Sequence, residues 1–501
     1  MEGRRAPMTV NRNPKKSRPY DTPPKRRRSL IPGGTDSAAT GFVVAAAVWL
    51  AFATGIGALA IFIRMVPFEF AFPFGIFDLG FELNERRVDA AFANATVYGW
   101  LSNAGFAAIA FMSPRLFGRP LAGEKLVNVA MAIWNLSLAG GIAALYVFDL
   151  GAHAPLTAIP WFIGGGLALG ALLITGSFLA TAGAGIRTGY ISTWFAGVAL
   201  LGLAGLTGLS AALGLVAFFI ELPGLTVALV SVFIGRAIVT IWLLGMAYAT
   251  LHYVVPRATG LPLASAGLGL LTWLTWLALA PVSAIGELRD TQVPYFVTTL
   301  GSVATILLLV PASLAVVNLA QSMSGRWTAV FGRGALAFAA VSATFLLAAA
   351  LLEAIGALAS VQARVSGTEW ERGAFIWVAY GAFGLAALGL MEHALPRILR
   401  RSWGPSALSS ATLWLVFGGA AIGGVALMGA GLAEGSLLAS GTAAEDIAAT
   451  LLPYRVAGFL GFGLVALAGL ATLVNLFLIY TSGEPADYTV PGQAATAAAG
   501  H

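Results

Sequence analysis

The chain has 501 residues and a net charge of +6, and 58% of it is hydrophobic against 10% charged. That balance excludes a water-soluble globule, which needs about a quarter of its residues charged to cover its surface. Its solvent must be lipid, so length counts membrane spans rather than domains. The absence of cysteine excludes disulfides, thiolate metal sites, iron–sulfur clusters and CxxCH haem attachment on this chain.

Residues 1–38 read as a basic arm. Ten of the 28 basic residues fall within the first 28 positions, among five prolines. Such a segment cannot build a core and is predicted disordered, touching anionic lipid as a topology signal. It lacks the interleaved aromatics and folded partner domain that nucleic-acid binding would use, so no nucleic acid is expected as a partner. The apolar run after Thr40 is too long for the core of a cleavable signal peptide.

Twelve apolar stretches follow, near 39–63, 89–112, 127–149, 159–181, 190–214, 226–254, 264–286, 294–318, 333–358, 370–395, 407–433 and 453–481. Each meets the roughly 20 residues a membrane helix needs. The expected fold is therefore an all-α membrane bundle of about 12 spans over 39–481, with a disordered tail at 482–501. Continuous apolar runs exclude a β-barrel, whose strands alternate. Gly419-x-x-x-Gly423 is a small-residue spacing that suits close helix packing in lipid.

Basic residues set the orientation. With the N-terminus inside, cytoplasmic segments hold about 20 Lys and Arg and external loops about five. Arg115, Arg119, Lys125, Arg397, Arg400 and Arg401 are then cytoplasmic anchors. The loop 64–88, rich in Phe and Pro, is external.

Histidine placement weighs against redox chemistry. A bis-histidine haem needs two imidazoles on facing helices near mid-membrane, and a haem–copper centre needs four more. Only four histidines are present. His153 falls in a loop, His501 ends the chain, and His252 and His393 lie at the cytoplasmic ends of spans six and ten. There imidazoles are expected to snorkel toward headgroups. Ionisable groups within spans are the sharper signal, because they are expensive in lipid. Arg236 lies about 15 Å into span six. Glu287, Glu353, Asp89, Glu371, Arg372 and Arg455 stand near span ends. A buried ion pair, a proton or ion pathway, and a substrate site all remain open readings of Arg236.

From the sixth span onward the text reads "GRAIVTIWLLGMAYATLHYVVPRATGLPL", "TLGSVATILLLVPASLAVVNLAQSMSGRW", "TEWERGAFIWVAYGAFGLAALGLMEHALPRI" and "LPYRVAGFLGF", with "FANATVYGWLSNAGFAA" earlier. In order and spacing these segments resemble subunit I of the cbb3-type cytochrome c oxidases, in the haem–copper oxidase superfamily. The likeness runs over most of 40–480. It implies a twelve-helix oxidase fold in a bacterial inner membrane, both termini cytoplasmic. It also implies respiratory partners, such as a membrane-anchored c-type cytochrome. That family carries haem b, a high-spin haem and copper.

The departures from the family pattern concern every metal ligand. The resemblance puts the second-span haem histidine at Phe92 and the two tenth-span haem histidines at Ala374 and Ile376. It puts the copper histidines at Arg236, Gly286 and Glu287, and the family's cross-linked tyrosine at Ala280. No haem or copper is therefore expected, and no catalytic residue is assigned. Arg236 and Glu287 stand where copper ligands would converge, so a buried Arg236–Glu287 ion pair is expected there. Trp242, Trp273, Trp276, Phe375 and Trp377 could fill haem-sized space. The resulting expectation is a cofactor-free, structural or regulatory subunit of a respiratory complex. The alternatives are a twelve-span transporter, or part of a working oxidase whose redox centres lie in other subunits.

Overall fold

In hydrocarbon every backbone N–H and C=O must be bonded within its own segment, and these apolar runs meet that demand as helices. The computed structural model describes residues 33–66, 70–74, 79–148, 153–288, 292–330, 334–402 and 406–486. Eleven helices in it are long and apolar enough to cross a membrane: α1 (Ser37–Met65), α3 (Glu124–Ala144), α4 (Trp161–Thr188), α5 (Ile191–Phe219), α6 (Gly224–Thr259), α7 (Ala266–Leu288), α8 (Tyr295–Met323), α9 (Ala335–Gly356), α10 (Glu369–Leu399), α11 (Ser406–Ala439) and α12 (Ala444–Thr481). The second of the twelve expected stretches is also helical, over 85–117 (α2), but it is not among the eleven.

Polar packing accounts for the difference at α2. Thr96, Ser102 and Asn103 are fully buried there, and each is bonded. Asn103 and Asn135 of α3 exchange amide hydrogen bonds of 3.0 Å, and Trp49 of α1 donates to Asn135 at 2.7 Å. A helix that hides its polar groups against neighbours does not need a high apolar content. Asn84 caps its start by accepting from the Arg87 N–H, and Gly118, at φ 64°, ends it.

Between α1 and α2 the chain forms an antiparallel hairpin, β1 (Phe70–Phe74) with β2 (Leu79–Leu83), where sequence had indicated only a loop. The basic arm lies outside the described residues up to 32, and α1 begins inside the stretch assigned to it, at Ser37. The C-terminal tail lies outside them from 487 onward. Its first residues are ordered by pairing, with Ser402 N–H donating to the Glu484 carbonyl at 2.7 Å.

Helix α10 is the centre of the bundle: its most apolar stretch is 89% buried, against 33–50% for the other ten. Helices α11 and α12 pack tightly along their length and α12 returns onto α1. A Cβ on Gly461 would lie 2.4 Å from the Gly423 nitrogen, so α11 and α12 meet backbone to backbone. Three helices contain π-helical turns, at Ala95–Leu101 in α2, Ile238–Leu243 in α6 and Trp377–Gly384 in α10. The α10 turn packs against the other two. Such turns are rare and concentrate at functional sites.

Candidate functional site

Arg236 sits inside α6, and its depth forces a partner. The nearest charges come from the ends of two other helices. Its guanidinium forks onto Glu353 of α9, with Nη1 donating to Oε1 at 3.3 Å and Nη2 to Oε2. Its Nε lies 3.3 Å from Glu287 Oε1 of α7 without a well-directed hydrogen bond. Glu287 and Glu353 both lie at helix C-termini, the negative end of the helix dipole, where a carboxylate is unfavourable. One arginine between them offsets both. The side chains of Glu287 and Glu353 are 34% and 22% exposed, so the group is not sealed within the bundle. The bidentate partner is thus Glu353, 117 residues away, which sequence noted as ionisable but did not connect to Arg236.

Gly286, next to Glu287, is pressed against α8. A Cβ built on it would lie 3.0 Å from both the Gly301 carbonyl carbon and the Ser302 nitrogen, and one on Gly301 would lie 2.2 Å from the Gly286 nitrogen. No side chain fits at 286 without moving a backbone. Ala280 is also buried, and its carbonyl accepts a hydrogen bond from Thr240 at 3.0 Å.

Phe92, Ala374 and Ile376 lie elsewhere, on α2 and α10, where the residue shown to touch Phe92 is Phe375, between the other two. All three are buried. Phe92 packs edge-on against Phe375 at 6.0 Å and Phe462 at 5.5 Å, and Phe462 packs edge-on against Tyr380 at 5.2 Å. The Tyr380 hydroxyl is satisfied by Thr96 at 2.9 Å. Helix α1 closes the cluster at Gly57, where a Cβ would come 2.6 Å from Phe92 and 2.3 Å from Phe462. Edge-to-face rings of this kind gain about 0.5–1.5 kcal/mol per pair beyond their burial. Two small cavities lie away from this tier, lined by residues such as Val43, Phe111 and Met391 or Met112, Phe178 and Ala196. Each holds about 10 Å³, room for roughly one water.

Just above the aromatic tier is a charged knot. Glu369, 1% exposed, receives Arg64 of α1 at 2.9 Å, Arg455 of α12 at 3.2 Å and Arg372 of its own helix at 3.5 Å. Asp89 of α2 takes Arg64 and Arg372 on one oxygen, both at 2.7 Å, and Glu85 reaches Arg64 at 2.6 Å from the rim. Sequence singled out Asp89, Arg372 and Arg455, but missed Arg64 and the central Glu369. Both fall just outside the apolar windows, and the Glu369-x-x-Arg372 spacing was the available signal.

The histidines depart from expectation. His252 and His393 do not snorkel; they are 0% and 6% exposed. His252 stacks on Phe195 at 5.4 Å with Nδ1 bonded to the Tyr248 carbonyl at 2.8 Å. His393 packs edge-on against Phe111 and Tyr253. Among the described residues no group of three or more His, Cys, Asp or Glu is placed to hold a metal ion.

This helical arrangement is the fold of haem–copper oxidase subunit I. The family described as cytochrome c and quinol oxidase polypeptide I matches residues 37–471, and the chain belongs to that family. It is similar to the cbb3-type cytochrome c oxidase subunit CcoN1 of Stutzerimonas stutzeri, 23% identical over 468 residues that cover 91% of this chain and 97% of that one. Among solved structures it is similar in fold to a haem–copper terminal oxidase dimer determined by electron cryo-microscopy. The TM-score there is 0.69 at 14% identity, over 91% of this chain and 85% of the other. The residues at the six places the resemblance marks do not fit iron or copper. Phe92, Ala374, Ile376 and Gly286 carry no donor side chain, and Arg236 is engaged with both Glu287 and Glu353.

Proposed function

We propose that this chain is a subunit I relative without redox centres, acting as a structural or regulatory subunit of a respiratory complex. The observation that carries the reading is the contact of Arg236 with Glu353 and Glu287, beside a Gly286 where any side chain would press on the α8 backbone. In this reading charge and backbone contact occupy the space where copper ligands would converge. The Phe92–Phe375–Phe462 tier plays the same part between α2 and α10. Nothing in that arrangement can bind oxygen or pass an electron, so no catalytic step is assigned to the chain. Its outer surfaces would serve a partner such as a membrane-anchored c-type cytochrome or an active oxidase subunit, in a bacterial inner membrane with both termini cytoplasmic. Satisfied charges at Arg236 also leave no free arginine there for a transported anion, which disfavours the transporter alternative.

The test is a pyridine haemochrome spectrum with metal analysis on the purified chain, together with identification of the proteins that co-purify. Neither haem nor copper, with a cytochrome or oxidase subunit attached, is the expected result. Stoichiometric haem b on the isolated chain would overturn the reading.

A further inference from the structure

The charged knot joins the first helix of the bundle to the last. Glu369 sits in the first turn of the central helix, α10, where the helix dipole favours a carboxylate. Through it Arg64 and Arg455, 391 residues apart, share one carboxylate oxygen. Arg455 does more: its Nη1 donates to the backbone carbonyl of Arg64 at 3.0 Å. That carbonyl belongs to the last turn of α1, where helix geometry leaves carbonyls without partners. A side chain of α12 therefore caps α1. The charges facing the knot are Arg64 from α1, Glu85 and Asp89 from α2, Arg372 from α10, Glu434 from α11 and Arg455 from α12. Glu434 accepts the Glu369 backbone N–H at 3.1 Å.

We propose that this knot is a closure latch: Arg64, Asp89, Arg372 and Glu369 join the ends of α1, α2 and α10, and α12 locks onto that end of α1 through the contacts of Arg455 with Glu369 and the Arg64 carbonyl. Packing alone could hold α1 against α12 farther along, where the backbone of Gly469 meets Ala51. At the knot end the facing residues are Phe62 and Phe459, partly exposed rings 6.2 Å apart. Rings facing lipid gain little by association, because lipid is as apolar as they are. Charge must then hold that end. The latch does not depend on whether a redox centre is present, so its failure leaves the functional reading standing.

The cysteine-free chain permits a direct test. The full-length protein would carry F62C and F459C, and in a second version W161C and F218C between α4 and α5, whose rings lie 5.8 Å apart away from the knot. A short bismaleimide reports closure in native membranes. E369Q and R455M are each expected to cut the 62–459 cross-link severalfold and leave the 161–218 cross-link intact. The double variant should lose no more than either single one, and R455K should retain part of the yield. Undiminished 62–459 cross-linking in E369Q and R455M would overturn the latch. Equal loss at both pairs would also overturn it, by showing a general collapse in its place.

Discussion

At Arg236, removal of either partner strands a charge at the edge of the hydrocarbon. Arg236→Met and Glu353→Leu are each expected to destabilise the protein by about 3 kcal/mol, while the double substitution recovers most of that loss. Glu287→Leu should cost about 1 kcal/mol or less, since its carboxylate is a third exposed and not well directed. Denaturation of the four variants in one detergent would separate these values. A larger effect at Glu287 than at Glu353 would reverse the assignment of the principal partner.

His153 gives a pH dependence outside the spans. Burial, and then the nearby Arg86 charge, hold its imidazole below the ordinary range. A lowered folded-state value means that the unfolded chain binds more protons in acid. Its contribution is therefore present above about pH 6.5 and declines as pH falls through and below that value. His153→Gln should flatten the stability profile between about pH 6.5 and 5 relative to the parent chain, measured by thermal denaturation. An unchanged profile would show that His153 is not the group responsible.

Elements were legible where hydropathy speaks and illegible where pairing is non-local. The span assigned to 226–254 is helical over 224–259, and 370–395 over 369–399, because apolar runs flanked by polar breakers carry the helix signal locally. Helix α2 fits this criterion least well, since its buried polar residues pair with α3, α6 and α10. The Arg236–Glu353 fork and the Arg64–Glu369–Arg455 links span 117, 305 and 86 residues, and no spacing within one helix reveals them. Histidine burial was misjudged for the same reason: a position near a span end says nothing about which face a neighbour covers, and Phe195 and Phe111 cover these rings. At the α2–α10 contact, Phe92→Ala is expected to cost about 3–5 kcal/mol, because Phe375, Phe462 and Gly57 cannot all collapse onto the gap. A loss under about 1 kcal/mol would mean that the tier is loosely packed.

At the scale of the molecule, twelve crossings would place alternate connections on alternate sides. Ser324, after α8, is exposed and Thr442, between α11 and α12, is partly exposed, and the two should face opposite compartments. With the N-terminus inside, Thr442→Cys is labelled by an impermeant maleimide in intact spheroplasts, and Ser324→Cys only after permeabilisation. The inverted pattern, with Ser324→Cys labelled in intact spheroplasts and Thr442→Cys only after permeabilisation, would mean that α2 does not cross or that the orientation is reversed.

The meeting of Gly286 with Gly301 acts as a ratchet. Under the proposed reading, histidines placed at 236, 286 and 287 would not by themselves make a copper site, because a side chain at 286 first has to shift the α8 backbone. Each single change would meet a penalty before any gain: a stranded carboxylate at 353, then a clash at 286. Metal binding at these positions would need a compensating shift of α8 in the same step, so point mutation alone does not reach it.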